Sequence, residues 1–520
     1  MISEKDYQLL KQHGCKMYLE EENPKLRKKH WLPLLLKEKQ QNNITPTLEE
    51  AVKKSGLKDG MTISFHHHFR AGDFVVNMVL DVLEKMGFKN LTLAASSLTT
   101  CHAPVLNHIR SGLVTKIHTS GMRGELADAI SMGVMDQPVT FWSHGARATA
   151  IEENRLHIDV AFLGAPSCDP YGNANGYTRE GEGKSICGSM GYARIDAQYA
   201  DHVIVITDNL VPYPNVPFAI SQRFVDQVVV VDSIGDPEKI MSGATRFTKK
   251  PGDLLIAEKT AEVIVNSGYF YDGFSLQTGS GGASLAVTRF LSDYMREKNI
   301  HASFAIGGIT GVMTKLHEEG LIKKILDVQS FDLEAANSLK NNHLHQQIDA
   351  DYYADPFKVG TAVNLLDVVI LSALEVDVDF NVNVLTGSDG VIRGAIGGHP
   401  DTAAGASLAI VVCPLFRGRI PSVLKHVNTI VTPGSTVDVV VTDQGIAVNP
   451  SRTDLIEALE KAHIDIVDIH ELQKKAESVT GVPEPIKYGD RIVGIVTYRD
   501  GSVIDVIKNV ESVTKEEETV

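Results

Sequence analysis

The segment Thr278-Gly279-Ser280-Gly281-Gly282-Ala283-Ser284 concentrates glycine in one short stretch. Glycine lets backbone N–H groups come close to an anion, or to the oxyanion that develops when a carbonyl is attacked. The loop matches neither GxxxxGK(S/T) nor GxGxxG, which disfavours a nucleoside triphosphate cradle. A tight turn without a ligand is the other reading. Gly307-Gly308, followed by Thr310, is a second glycine-bearing stretch after an apolar strand, open either to close backbone packing or to a reacting group. A third runs from Gly387 through Arg393 to Gly397-Gly398-His399, either a mobile loop or the wall of a thioester site. In His66-His67-His68-Phe69-Arg70, an extended backbone would send successive side chains to opposite faces. Either His66 and His68 or His67 alone can then look into one pocket, so the run is a poor chelate for a single metal, and none is expected. Glu375, near the end of an apolar β-branched run, is a carboxylate that could act as a nucleophile, with a structural role as the competing reading.

The elements that must hold these groups repeat along the chain. Residues 61–65 read as a strand, 66–73 as a polar turn and 74 onward as a helix whose apolar face is Phe74, Val75, Met78, Val79, Val82, Leu83 and Met86. A strand returns at 90–95. The second half repeats the order: strand 273–276, glycine turn 278–284, helix from Leu285, returning strand 302–306. Asp159 opens an apolar run closed by Asp169, with Asn173 after it; Asp367, Asp377 and Asn381 do the same about 208 positions later. Val225-Asp226 parallels Val437-Asp438 at an offset of about 212 positions. An ordered series at nearly constant offset indicates duplication. The runs 203–206, 228–231, 368–371, 408–412 and 437–441 are continuously apolar, as strands covered on both faces must be. The fold class is therefore α/β, with each half a mainly parallel sheet flanked by helices. The expected partition is an N-terminal extension (1–45), a first domain (46–245), a second (246–514) and a flexible tail (515–520).

A chain of 520 residues exceeds one ordinary hydrophobic core, and 43% hydrophobic with 22% charged residues is globular composition. A net charge of −15 opposes attraction to phosphate backbones, so nucleic acid is not an expected partner. The basic run 25–39 reads as a solvated or subunit-contact arm. Five scattered cysteines, with no CxxC pair, fit reduced thiols. No segment reaches the roughly 18–20 consecutive apolar residues of a membrane span, and a cytoplasmic location is expected.

Residues 63–73, Gly164-Ala165-Pro166-Ser167-Cys168-Asp169-Pro170-Tyr171-Gly172-Asn173, 304–311 and Gly397-Gly398-His399-Pro400-Asp401 carry a resemblance. From about residue 46 to 510 the chain resembles the CoA-transferase superfamily in its two-domain form, most closely the citrate lyase alpha chain family. The resemblance implies two tandem CoA-transferase-like domains. It also implies a citrate CoA-transferase reaction, in which an acetyl carrier and citrate give a citryl carrier and acetate. The carrier is a small protein subunit with a dephospho-CoA-derived arm, for which CoA can substitute, and no cofactor is bound to this chain. A separate subunit cleaves the citryl thioester, and a homo-oligomer within a larger complex is expected. CoA-transferases of the best-known type carry a nucleophilic glutamate just after the returning strand of the second half, where this chain has Gly307-Gly308. Direct attack by a citrate carboxylate, through a mixed anhydride, is the reading that follows. Alternatives are a CoA-transferase using Glu375 for another small carboxylate, and a sugar-phosphate isomerase or ligand-sensing protein on a related fold. Citrate needs charge-assisted donors, for which Arg70, with His66, His67 or His68, is the first choice and Arg393 and His399 the next. Gly279, Ser280, Gly281, Gly282, Gly307, Gly308, Thr310, Gly397 and Gly398 are expected around the thioester.

Overall fold

The structure is a computed structural model that describes residues 42–179, 183–239, 248–279 and 281–511. The basic run 25–39, Ser280, residues 244–247 of the join near 244–252 and the tail 515–520 lie outside the described residues. In the first half the strands are β1 (Thr62–Phe65), β2 (Leu91–Ala95), β3 (Val114–Thr119), β4 (Val139–Phe141), β5 (Val160–Ala165), β6 (His202–Thr207) and β7 (Gln227–Val230). In the second they are β8 (Ser275–Thr278), β9 (Phe304–Ile309), β10 (Ile325–Ser330), β11 (His345–Gln347), β12 (Val368–Ser372), β13 (Leu408–Val412), β14 (Val439–Thr442) and β15 (Gly445–Val448). The final hairpin is β16 (Tyr488–Thr497) and β17 (Val503–Val510).

The first sheet runs 4-3-2-1-5-6-7 and the second 11-10-9-8-12-13-14, the same order strand for strand. These strands pair in parallel, while β15 and the final hairpin add antiparallel pairs. The repeated aspartates have equivalent jobs. Asp159 Oδ2 accepts from Thr62 N at 2.7 Å, and Asp367 Oδ2 from Ser275 N at 2.8 Å. Asp226 Oδ2 accepts from Val203 N and Asp438 Oδ2 from Ala409 N. Asp169 gathers the N–H groups of Tyr171, Gly172 and Asn173, as Asp377 gathers those of Asp379 and Asn381. Each carboxylate satisfies backbone donors that a strand or turn leaves unpaired, so the repetition seen in sequence is one of hydrogen-bonding function.

Three expectations change. The helix after β1, α1 (Val75–Lys85), buries Val75, Val76, Val79, Leu80 and Leu83, while Phe74 stays 41% exposed. The expected face otherwise holds, with Met78, Val82 and Met86 partly buried against the core, and it is widened by Val76 and Leu80. Strand β9 runs through Gly307-Gly308 to Ile309, with a register shift between the two glycines against β10. The final hairpin pairs through β16 with β4, at the edge of the first sheet. The segment 246–514 therefore does not close on itself. One hydrophobic cluster, with Phe65, Ile63 and Leu163 from the first half and Ile306, Val369 and Val411 from the second, runs through both halves. Among the described residues no helix is long and apolar enough to cross a membrane.

Candidate functional site

Ligands of parallel α/β sheets collect where strand carboxyl ends pass into loops. Here both sheets present those ends to one cavity of about 610 Å³. The segment after β1 supplies His67, Arg70 and Ala71; the segment after β2, Ser97, Leu98, Thr99 and Thr100; that after β3, Ser120, Met122 and Arg123. The second half supplies Gln277, Thr278, Gly279 and Gly281 from β8 onward, Gly308 from β9, Phe331 after β10, and Ser372 from β12. The stretch from Gly394 to His399 closes the wall.

The two halves are fastened at this wall. Met122 N donates to Gly394 O, Ile396 N to Ser120 O at 2.7 Å and His144 N to Gly397 O. Ser143 Oγ and Gly145 N both donate to Asp401, at 2.8 and 3.0 Å. A Cβ on Gly121 would overlap Ala395, so this approach requires glycine.

Of the three histidines only His67 lines the cavity. It lies 5.3 Å from the Tyr192 ring, and its main-chain oxygen accepts from Gln329 Nε2 across the halves. His66 and His68 turn the other way and stack at 5.9 Å. His66 sits 3.4 Å from Asp196, whose carboxylate also takes both Nη atoms of Arg147, and His68 Nε2 lies 2.9 Å from Gly164 O. Burial pushes the His67 imidazole well below its usual range, that of His144 to about 3 and that of His399 to about 4. Near neutral pH these rings are uncharged. They cannot supply the adjustable charge anticipated for His67 and His399, and the positive charge at the cavity is that of Arg70 and Arg123.

Arg70 stands in the left-handed region, φ 50, which is costly for a side chain with a Cβ. Its guanidinium lies 4.7 Å over the Phe331 ring, and Nη1 is buried with no hydrogen-bond partner. Burial, then the charge of Arg123, pulls its pKa down to about 10.

The glycine stretches divide. Gly279 N is already spent on Ile370 O at 2.7 Å, so this N–H is not free for an oxyanion. Gly281 precedes the helix Gly282–Lys298, whose N-terminus starts at the cavity wall and carries the favourable dipole end for an anion. Gly307, φ 99, does not line the cavity, and a Cβ there would come within 2.7 Å of Gln277. Gly308 does line it, and a Cβ there would overlap Phe331. Thr310 and Gly282 are buried or packed beyond the lining.

Glu375 and Arg393 are not among the residues that line the cavity. The Glu375 side chain, 2% exposed, accepts from Asn383 Nδ2 at 2.8 Å, Asn428 N at 3.1 Å and Asn428 Nδ2 at 2.8 Å, away from the cavity. Arg393 is exposed and paired with Asp389 and Asp128. An exposed pair is worth about 0–1 kcal/mol, so Arg393→Ala is expected to change citrate kcat/KM less than about threefold; steady-state kinetics check this.

Sequence reasoning passed over Arg123, Phe331, Tyr192, His144, Tyr353 and Gln277. Arg123 had a usable signal, since it follows a third parallel strand and lies between Gly121 and Gly124. Gln277 and Tyr353, joined at 2.9 Å, come from separate elements and had none.

A family model described as "Citrate lyase, alpha subunit (CitF)" matches residues 41–510. The citrate lyase alpha chain of Escherichia coli (strain K12) is 59% identical over 464 residues, 89% of this chain and 90% of the relative. That of Haemophilus influenzae is 60% identical over 465 residues, 89% of this chain and 92% of the relative. A crystal structure of the alfa subunit of citrate lyase in complex with citrate, from Streptococcus mutans, is 56% identical, with a TM-score of 0.88 over 91% of this chain and 92% of that one. An Acinetobacter baumannii malonate decarboxylase alpha subunit shares the fold, with a TM-score of 0.62 at 15% identity over 86% of this chain and 91% of that one. On these matches the chain belongs to the citrate lyase alpha subunit family.

Proposed function

We propose that this chain is the citrate CoA-transferase of a cytoplasmic citrate lyase complex, exchanging acetate for citrate on a carrier thiol in the cavity between the two sheets. The family membership supports the transferase role, and the Streptococcus mutans relative, described in complex with citrate, supports the acceptor. The donor is the acetyl thioester of a carrier subunit's dephospho-CoA-derived arm, with CoA as its stand-in, and a further subunit cleaves the product. The carrier arm is a substrate here. A homo-oligomer of this chain within that complex belongs to the same reading.

One observation carries the mechanism: among the described residues the cavity lining holds no Asp, Glu, Cys or Lys. Covalent catalysis by an enzyme carboxylate, thiol or amine has no residue there to use. A citrate carboxylate oxygen instead attacks the acetyl carbonyl carbon, the C–S bond breaks, and the thiolate leaves. The resulting citryl-acetyl anhydride is attacked by that thiolate at its citryl carbonyl, and acetate departs. Atoms and charge balance without another reagent. The protein's part is to hold the reactants together and to place dipoles where negative charge gathers, which can contribute several kcal/mol.

Acetate and citryl-CoA should appear when purified protein meets acetyl-CoA and citrate; neither product would overturn the reading. After acetyl-CoA and borohydride, intact mass is expected to match the unmodified chain. A mass change mapping to Glu375, such as the loss that follows reduction of its carboxyl to an alcohol, would replace direct attack with a covalent intermediate, the role its hydrogen bonds to Asn383 and Asn428 argue against.

A further inference from the structure

Arg123 enters the site from the loop after β3, a strand on which none of the three glycine stretches lies. It stands beside Arg70 through a shared support. Leu98 N donates to Gly121 O at 3.0 Å, Leu98 bridges to Met122, and Thr99 Oγ1 donates to Arg70 O at 3.1 Å. The segment Leu98-Thr99 is thereby bonded on one side to the main chain of Arg70 and on the other to the loop that carries Arg123. Both arginines line the same cavity.

Among the described residues neither arginine is part of an ion pair, and Asp332 offsets the charge of Arg70 only in part. Arg70 Nη1 is buried and has no hydrogen-bond partner, and the face of Phe331 occupies one side of its guanidinium. Asp332 is near, but its two oxygens accept from Gly311 N at 2.7 Å and Ala335 N at 2.8 Å. Two like charges in a cavity whose described lining holds no carboxylate are a cost to the folded chain unless an anion completes them. Each planar guanidinium can take a carboxylate in a bidentate grip.

We infer that Arg70 and Arg123 form a two-guanidinium site that binds the carboxylates of the acceptor not engaged in reaction, and so selects a polycarboxylate over a monocarboxylate. This rests on the transferase reading above. It adds the division of labour: the arginines from the first half hold spectator carboxylates, while the reacting carboxylate reaches the glycine wall of the second half. Acetate, with one carboxylate, brings one negative charge to two positive ones and offsets them only in part.

The test uses the full chain with Arg123→Met and Arg123→Lys. Citrate binding is read by titration calorimetry, and acceptor selectivity is read as the ratio of kcat/KM for citrate to that for labelled acetate exchanging with acetyl-CoA. Arg123→Met is expected to weaken citrate binding at least tenfold and to lower that ratio at least tenfold. Arg123→Lys, which keeps the charge but loses the fork, is expected to fall between. Arg123 is exposed, so the variants should keep the parent thermal transition. Unchanged citrate affinity and an unchanged ratio in folded Arg123→Met would overturn the two-arginine site. The parent reading fails separately, if the unsubstituted chain binds citrate in an Arg123-dependent way yet forms no citryl thioester.

Discussion

An Arg70→Met chain is expected to use citrate about a hundredfold less efficiently in kcat/KM, on the basis that a hydrogen bond to a charged group contributes roughly 1.5–3 kcal/mol. The case for a large effect is that the Arg70 charge has little to do in the fold beyond resting on Phe331. It makes no ion pair among the described residues, one of its nitrogens is buried and unpartnered, and its backbone sits at φ 50. A residue kept in a costly conformation with a desolvated, unanswered charge is stabilising something the free chain lacks. The corollary is a split readout. Methionine removes the charge and keeps much of the apolar contact with Phe331, so the thermal transition is expected to hold or to rise slightly while turnover collapses. Steady-state kinetics for citrate and for acetyl-CoA, beside a thermal melt, provide the measurement. If Arg70→Met and His67→Ala both keep wild-type kinetics, the turn after β1 is structural and the carboxylate donors lie elsewhere.

Gly308→Val should cost more, roughly two to three orders of magnitude in kcat/KM, because it strikes two parts of the site at once. Gly308 lines the cavity, so branched carbon there removes backbone access to the reacting group. A Cβ at this position also overlaps the Phe331 ring, and Phe331 is the surface on which the Arg70 guanidinium rests at 4.7 Å. Overpacking of this kind costs about 1–3 kcal/mol of stability, a tolerable loss for a chain this size, so folded protein should be recoverable. Gly281→Val provides the comparison. Its Cβ would overlap the neighbouring Ser372 hydroxyl, leaving Phe331 alone, and a smaller loss with citrate affinity preserved is expected. Near-normal turnover in both folded variants would remove the glycine wall from the reaction.

How far each feature was legible depends on how local its cause is. Continuous apolar runs such as Leu408–Val412 declare buried parallel strands because both faces must be covered. The paired aspartates Asp159 and Asp367, Asp226 and Asp438, and Asp169 and Asp377 declared the duplication because each serves backbone donors close to a strand start or turn in its own half. The missing carboxylate at Gly307-Gly308 is a fact of residue type, and it alone directs attention to a mechanism without an enzyme thioester. Even the choice between His67 and its neighbours was half decided, since alternation allows one set or the other.

What remained belongs to the tertiary structure. Which histidine faces the cavity depended on Asp196 and Arg147, which share no motif with the histidine run and meet it only in one buried charge network. That the Glu375 carboxylate is buried and hydrogen-bonded depended on Asn383 and Asn428 closing around it. That the last hairpin completes the first sheet depended on a free edge at β4, which no local pattern announces. The pairing of Arg70 with Arg123 arose only when β1, β2 and β3 were laid side by side, since parallel strands bring their carboxyl ends together however far apart they lie in sequence. Sequence thus determined the elements, their repetition and the absence of a carboxylate at Gly307-Gly308, all of which follow from residue type and local spacing. Which side chains meet in the cavity, and with what charge, was decided by long-range packing and burial, because desolvation and distance between remote groups exist only once the chain has folded.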